Sequence, residues 1–321
     1  MTRRKPTTRQ TNITAHVLLL AVVLVWGVTF PLVKAALADV SPLLFNLLRM
    51  AIGFAVLAAV NWKSLRGVSR SEWKMGAAAG LFLALGYQLQ TVGLARTTAS
   101  KSAFITGLVV VFVPLLSCVR GVAPKDAPRP SAMTFAGAML AFCGLVLLTA
   151  PKRGDGAGWL SGLGGGFHAG EWLTLGCAIA FAMHLLTLAR AAPRMPARRL
   201  GTLQVGFAAL VMLVTLPIGG RLVFNSTAIV WVALAVTALL ATAAAFTIQS
   251  WVQQHLAASH TALITTMEPV FAWAFSLLFL GERMGARGLT GAAVILAGIV
   301  LAEAPWSSWL GANSAGSPGI L

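Results

Sequence analysis

Two charged residues lie where charge is costly. Arg49 and Glu268 each sit inside a long apolar run. An ionised group at the centre of a membrane helix costs at least about 2.5–3.5 kcal/mol, so it needs a partner, a wet cavity or a helix end to reach. Arg49, seven residues after Pro42, can grip a carboxylate through two parallel N–H bonds, a geometry Lys cannot match. It would then hold a substrate carboxylate or form a gating ion pair; the alternative is a structural Arg that snorkels or caps a neighbouring helix. Glu268 could exchange a proton, pair with Arg49 or receive a substrate amine. Alternatively it satisfies backbone groups freed by Pro269, whose ring and missing N–H disturb the helix.

Other polar groups share these runs. Gln90 and Gln249 could face a cavity or bond between helices, the latter worth about 0.6–2 kcal/mol. His184 could line the same cavity or be hydrogen-bonded packing. Trp26, Tyr87 and Trp273 could form amphipathic pocket walls or act as packing and interface anchors. Gly27, Pro31, Pro114 and Pro269 are expected to interrupt spans, and such breaks are tolerated where freed backbone faces protein or water. Glu282, beside Arg283, is expected to fix a tight turn, and Lys34 to snorkel from the end of its span. Cys118, Cys143 and Cys177 show no ligand spacing and read as small buried hydrophobes. No metal site or cofactor follows from these residues.

The elements that must position these groups are membrane helices. Of 321 residues, 58% are apolar and only 10% charged. That composition excludes a disordered chain, a disulfide-rich module and an ordinary soluble enzyme. Apolar runs fall near 15–37, 42–60, 73–92, 99–119, 131–150, 170–190, 200–218, 227–248, 261–280 and 288–306. A crossing needs about 20 residues, so the chain has room for ten spans. The net charge of +16 does not point to nucleic acid, because the basic residues lie in short loops and form no continuous face. Fifteen of them fall in the N-terminal tail and the loops 61–74, 120–129 and 190–199, against seven on the other side. The positive-inside rule then puts both termini in the cytoplasm.

The chain repeats itself. Residues 87–112 align without gaps to 246–271, with identities that include Gln90/Gln249, Ser100/Ser259, Ile105/Ile264, Thr106/Thr265 and Phe112/Phe271. Further on, Gly137 and Gly144 match Gly291 and Gly298. Each copy has five spans, and an odd number inverts the second copy in the bilayer. The expected fold is an all-α polytopic membrane protein of ten transmembrane helices in two inverted five-helix repeats. The expected divisions are a basic tail 1–14, a first repeat 15–150, a Gly-rich linker 151–169, a second repeat 170–306 and a C-terminal tail 307–321.

The sequence resembles the drug/metabolite transporter superfamily, specifically its ten-helix EamA-type members. The matching features are Trp26-Gly27 with Pro31 and Lys34, then Arg49, then the stretch from Ala99-Ser100 to Pro114. The most specific is Glu268-Pro269-Val270 followed by Leu280-Gly281-Glu282-Arg283 and Gly291. The first copy departs from that pattern, with Val109-Val110 in place of Glu-Pro. The resemblance implies a multi-pass carrier of a bacterial-type inner membrane, commonly an exporter of amino acids, other metabolites or toxic small molecules.

The expected partners are a small-molecule substrate and the lipid bilayer; a homodimer is left open. The expected mechanism is alternating access, with the first four spans of each half lining a midplane cavity and the fifth and tenth bracing the bundle. A nucleotide-binding GxxxxGK[ST] motif is absent, which disfavours direct ATP drive. An intramembrane enzyme would need a nucleophile and base or a His/Asp cluster, and the sequence has no GxSxG or HExxH. A non-transporting receptor or scaffold would need a signalling module, and none is recognisable.

Overall fold

The computed structural model describes residues 8–119, 131–149, 168–256, 261 and 264–303. Its helices are α1 (Thr8–Ala36), α2 (Pro42–Asn61), α3 (Arg70–Ala95), α4 (Ala99–Ser117), α5 (Ala132–Thr149), α6 (Ala169–Ala191), α7 (Ala197–Thr215), α8 (Ala228–Val252), α9 (Glu268–Leu280) and α10 (Ala286–Glu303). Seven are long and apolar enough to cross a membrane, while α5, α9 and α10 are shorter apolar helices. Large apolar side chains such as Val60, Val214, Ile218 and Leu278 are exposed around the outside. A surface this apolar belongs against lipid. Cys118 and Cys143 are exposed on it and only Cys177 is buried, which corrects the expectation of three buried thiols. Helix ends follow local chemistry. Ser69 and Glu72 form a reciprocal cap on α3, Pro42 opens α2, and Gly281 at φ 64° ends α9.

The inversion is visible at one crossing. Helices α5 and α10 touch along glycine faces: Gly137 lies against Gly298, and Gly144 against Gly291. Gly137 and Gly291 are equivalent positions of the two repeats, so each glycine meets the other copy's second glycine. The mates therefore run antiparallel. Elsewhere the packing is closed under exchange of the halves: α1 lies on α8 and α9 as α6 lies on α3 and α4.

Two helices are discontinuous, and at matching points. α4 breaks at Leu108 between Ala99–Gly107 and Val109–Ser117. Its repeat mate turns at Thr266 and Met267 before restarting at Glu268. The breaks meet, with Gly107 packed against Pro269. The proline expectations are corrected accordingly. α1 runs unbroken through Gly27 and Pro31, because Gly27 serves to let Phe271 and Ala272 of α9 approach. Pro114 lies inside the second half of α4, not at its break. Pro269 occupies the first turn of α9, where its missing N–H would have had no partner. The expected Gly-rich joint from Gly154 to Gly166, residues 1–7 and the tail 307–321 lie outside the described residues, while residues 8–14, expected as basic tail, form the start of α1.

A methyl group added at Gly291 would come within 2.6 Å of the Leu148 nitrogen, whereas one added at Gly285 would meet nothing within 4 Å. Gly291→Ala is therefore expected to destabilise the protein by about 1–3 kcal/mol. Gly285→Ala should leave the unfolding temperature in detergent within error of the parent.

Candidate functional site

The broken helices open onto a cavity near their crossing. It is lined by α1 (Trp26, Thr29, Phe30), α3 (Tyr87, Gln90), α4 (Thr106, Val109), α6 (Phe181, His184, Leu185), α8 (Phe246, Gln249) and the ninth span (Thr265, Glu268). Every lining residue has its repeat mate opposite. Trp26/Phe181, Thr29/His184 and Phe30/Leu185 stand 155 residues apart, and Tyr87/Phe246, Gln90/Gln249, Thr106/Thr265 and Val109/Glu268 stand 159 apart. The cavity thus lies on the pseudo-twofold axis. The space is small, about 70 Å³, enough for a few waters.

Aromatic rings and polar side chains share the walls. Tyr87 meets Phe181 edge-on at 5.1 Å and Phe246 at 6.1 Å, and Trp26 and His184 each approach Phe246 at 5.8 Å. His184 bonds Gln204 through Nε2 at 2.7 Å, and Gln204 donates to Ser250. Glu268 is half-buried at the N-terminus of α9, where the helix dipole favours negative charge. Among the described residues it has no hydrogen bond or ion pair, and the Gln249 Oε1 is buried without a partner. Buried polar groups are nearly always satisfied, so these are positions for water or a ligand to answer.

Arg49 stands one layer behind. It is 3% exposed and does not line the cavity. Its Nε donates to the Thr242 hydroxyl at 2.8 Å, and its Nη2 donates to the Tyr87 hydroxyl at 2.9 Å and the Ala241 carbonyl at 3.4 Å. The guanidinium also stacks on the Tyr87 ring, 4.0 Å from its centre. No described carboxylate pairs with it, so of the alternatives open for Glu268 the ion pair with Arg49 is not formed. The cause is a wide π-helical stretch of α8, Val236–Ala244, which carries both Ala241 and Thr242. The Ala241 carbonyl also accepts from the Trp26 indole at 3.0 Å. Asn46 completes the support of Tyr87 by donating to its carbonyl. Asn46, Gln204 and the π-helical stretch were missed by sequence reasoning. The small-residue run Ala241-Thr242-Ala243-Ala244-Ala245 is the one visible trace of that stretch.

Of the eight expected binding residues, Glu268, Gln90, Gln249, His184, Trp26 and Tyr87 line the cavity. Trp273 does not. Five residues along α9 from Glu268, it is turned well away and packs partly buried against the Phe104–Val111 cluster. The second and seventh helices, expected as lining, contribute nothing to the wall. They supply Asn46, Arg49 and Gln204 behind it.

One end of the bundle is clasped. The α3–α4 turn is held from three sides. Lys34 of α1 donates to the carbonyls of Leu94 and Ala95; Glu282 accepts from the Ala99 and Ser100 amides and the Ser100 hydroxyl; Glu171 of α6 accepts from Thr97 and pairs with Lys101 at 3.7 Å. Glu282 thus ties the second repeat to the first, where it was expected only to fix its own turn beside Arg283. Lys34 caps a helix end instead of reaching for the membrane surface.

The sequence profile of the EamA-like transporter family matches residues 13–150 and, a second time, residues 168–303. The chain belongs to the EamA-like transporter family. An uncharacterized transporter of Archaeoglobus fulgidus is 31% identical over 282 residues, 87% of this chain and 82% of that protein. The uncharacterized transporter YvbV of Bacillus subtilis is 28% identical over 297 residues, 90% of this chain and 91% of YvbV. A crystal structure 19% identical in sequence superposes with a TM-score of 0.61, covering 95% of this chain and 99% of its own, and shows the fold alone. This EamA-family protein is a multi-pass membrane transporter built from two EamA domains.

Arg49→Ala would leave the Tyr87 and Thr242 hydroxyls without their buried donor, while the Ala241 carbonyl keeps the Trp26 indole. Leaving a buried polar group unsatisfied costs about 1–3 kcal/mol. A fall in unfolding temperature, and in the fraction surviving gel filtration, is expected; Tyr87→Phe, which removes one hydroxyl, should show a smaller one.

Proposed function

We propose that this transporter carries small organic solutes outward across a bacterial-type inner membrane by alternating access, binding them in the pseudo-twofold cavity. The observation that carries the reading is the set of unanswered polar groups, Glu268 and Gln249, on the wall of an aromatic chamber at the crossing of two broken helices. Half-helix ends facing a midplane site are a recurring way for secondary carriers to meet charged groups. Glu268, Gln90, Gln249, His184, Trp26 and Tyr87 contact the solute in this reading, and Arg49 positions Tyr87.

The walls favour a particular solute. Glu268 is the one carboxylate of the lining, and the Arg49 charge is screened from the cavity by Tyr87. Aromatic faces attract cations. A solute with an amine and a flat apolar body fits better than a dianion, and aromatic amino acids and toxic aromatic amines belong to that class. With so little room in the cavity, such a solute must widen it by separating the repeats. The Lys34–Glu171–Glu282 clasp would be the outer gate, and both termini would lie in the cytoplasm. We take 15–150 and 170–306 as the two repeat units, joined by the linker 151–169 and flanked by the tails 1–14 and 307–321.

Two measurements test this. Proteoliposomes should accelerate flux of a small organic amine, and Glu268→Gln should reduce it at least tenfold while the protein remains folded; full flux in that variant would remove Glu268 from the site. Separately, with Cys118 and Cys143 replaced by Ala, a cysteine placed at Arg96 should react with an impermeant thiol reagent in intact cells. One placed at Lys63 should react only after lysis, and the reverse pattern would invert the orientation.

A further inference from the structure

A second recess lies on the outer surface, away from the central cavity. It is formed by one face of α3 and one face of α6. Ser71, Lys74, Met75, Ala78 and Phe82 recur at helical spacing on α3, and Met183, Thr187, Arg190 and Arg194 recur likewise from α6 into the turn beyond it. The two helices are antiparallel, since Gly86 packs on Phe181 and Gly93 on Thr174. The start of α3 and the end of α6 therefore meet at the same end of the bundle, bringing Lys74, Arg190 and Arg194 together.

The recess changes character along the membrane normal. Its rim holds Ser71 and the three cations; its floor is Met75, Ala78, Phe82 and Met183. No acidic residue lines it. The nearby carboxylate of Glu72 is committed to Arg199 at 2.6 Å and to the Ser69 cap. From Lys74 to Phe82 the helix rises about 12 Å, enough to pass from a headgroup to the first part of an acyl chain. A soluble anion would satisfy the rim and leave the floor bare. A zwitterionic lipid would cover the floor and leave the positive charge of Lys74 and Arg194 at the rim.

We propose that this groove is a binding site for one anionic glycerophospholipid, with its phosphate held by Lys74, Arg190, Arg194 and the Ser71 hydroxyl and an acyl chain laid along Met75, Ala78 and Phe82. Basic pockets between membrane helices recognise acidic headgroups in this way. Because α3 and α6 belong to different repeats, the bound lipid clips the halves together at the end opposite the Lys34–Glu171–Glu282 clasp.

The test is lipid binding to the purified full chain in detergent, measured by native mass spectrometry and by thermal unfolding, with phosphatidylglycerol and phosphatidylcholine as probes. Phosphatidylglycerol should bind at least tenfold more tightly and raise the unfolding temperature. Each surface cation is worth about a fivefold change, so Arg194→Gln should weaken phosphatidylglycerol about fivefold. K74Q/R190Q/R194Q should weaken it about a hundredfold, leaving phosphatidylcholine unchanged. Ala78→Phe, which fills the floor and keeps the charge, should weaken both lipids. Equal affinity for the two lipids, unchanged phosphatidylglycerol binding in Arg194→Gln, or the same thermal shift from inorganic phosphate alone would overturn the proposal. Should the triple variant not fold, Arg194→Gln and Ala78→Phe decide it.

Discussion

A hydrocarbon core offers no hydrogen bonds, so each polar group within it must be answered by protein or by water held in a cavity. Most of this molecule obeys that constraint by regular helix and close packing. Where small residues face each other, as at the Gly137/Gly298 and Gly144/Gly291 crossing, backbones approach closely and nothing polar is left over. Where the helices break, at Leu108 and Met267, backbone ends are released. The two breaks pack together through Gly107 and Pro269, and the chamber forms beside them. The candidate site is thus the place where the constraint is relaxed in a controlled way.

Symmetry builds that chamber and asymmetry gives it chemistry. Its walls consist entirely of repeat mates, and Gln90 and Gln249 retain the same side chain on both sides. Thr106 and Thr265 do the same. The other five pairs have diverged, three of them in polarity. Glu268 faces Val109, His184 faces Thr29, and Tyr87 faces Phe246. The acid and the His thus belong to the second repeat, and the phenol to the first. Arg49 and Gln204 show the same divergence one layer out, at equivalent positions of α2 and α7. One supports Tyr87, and the other supports His184. Each repeat thus supplies a residue of the polar wall together with the residue that orients it.

The chemistry of that wall depends on an irregularity in a neighbouring helix. The π-helical stretch Val236–Ala244 carries the Ala241 carbonyl and the Thr242 hydroxyl, and these receive Arg49 and the Trp26 indole. Tyr87 then lies between a buried cation and the cavity. π-helical segments are rare and recur at functional sites. Here the segment allows an Arg to remain buried without a carboxylate. That leaves Glu268 free to face the chamber.

Much of the architecture was legible in the chain itself. Hydropathy runs mark the spans, because a crossing helix must be apolar over a fixed length. The Gln90/Gln249 and Gly137/Gly291 matches mark the repeat, and an odd number of spans inverts it. Glu268, Gln90 and Gln249 could be picked out as site residues because polarity inside an apolar run is costly. The rest depended on direction and depth. Sequence spacing cannot say that Trp273 turns away from the cavity, that Arg49 meets hydroxyls instead of Glu268, or that Glu282 reaches across to cap α4. Nor can proline positions locate the breaks, which fall where two helices cross, not where a ring interrupts one ladder. Hydrophobicity is a property of each residue and is written in order along the chain. Partner choice is decided between segments more than 150 residues apart, once packing has brought Arg49 to Ala241 and Thr242.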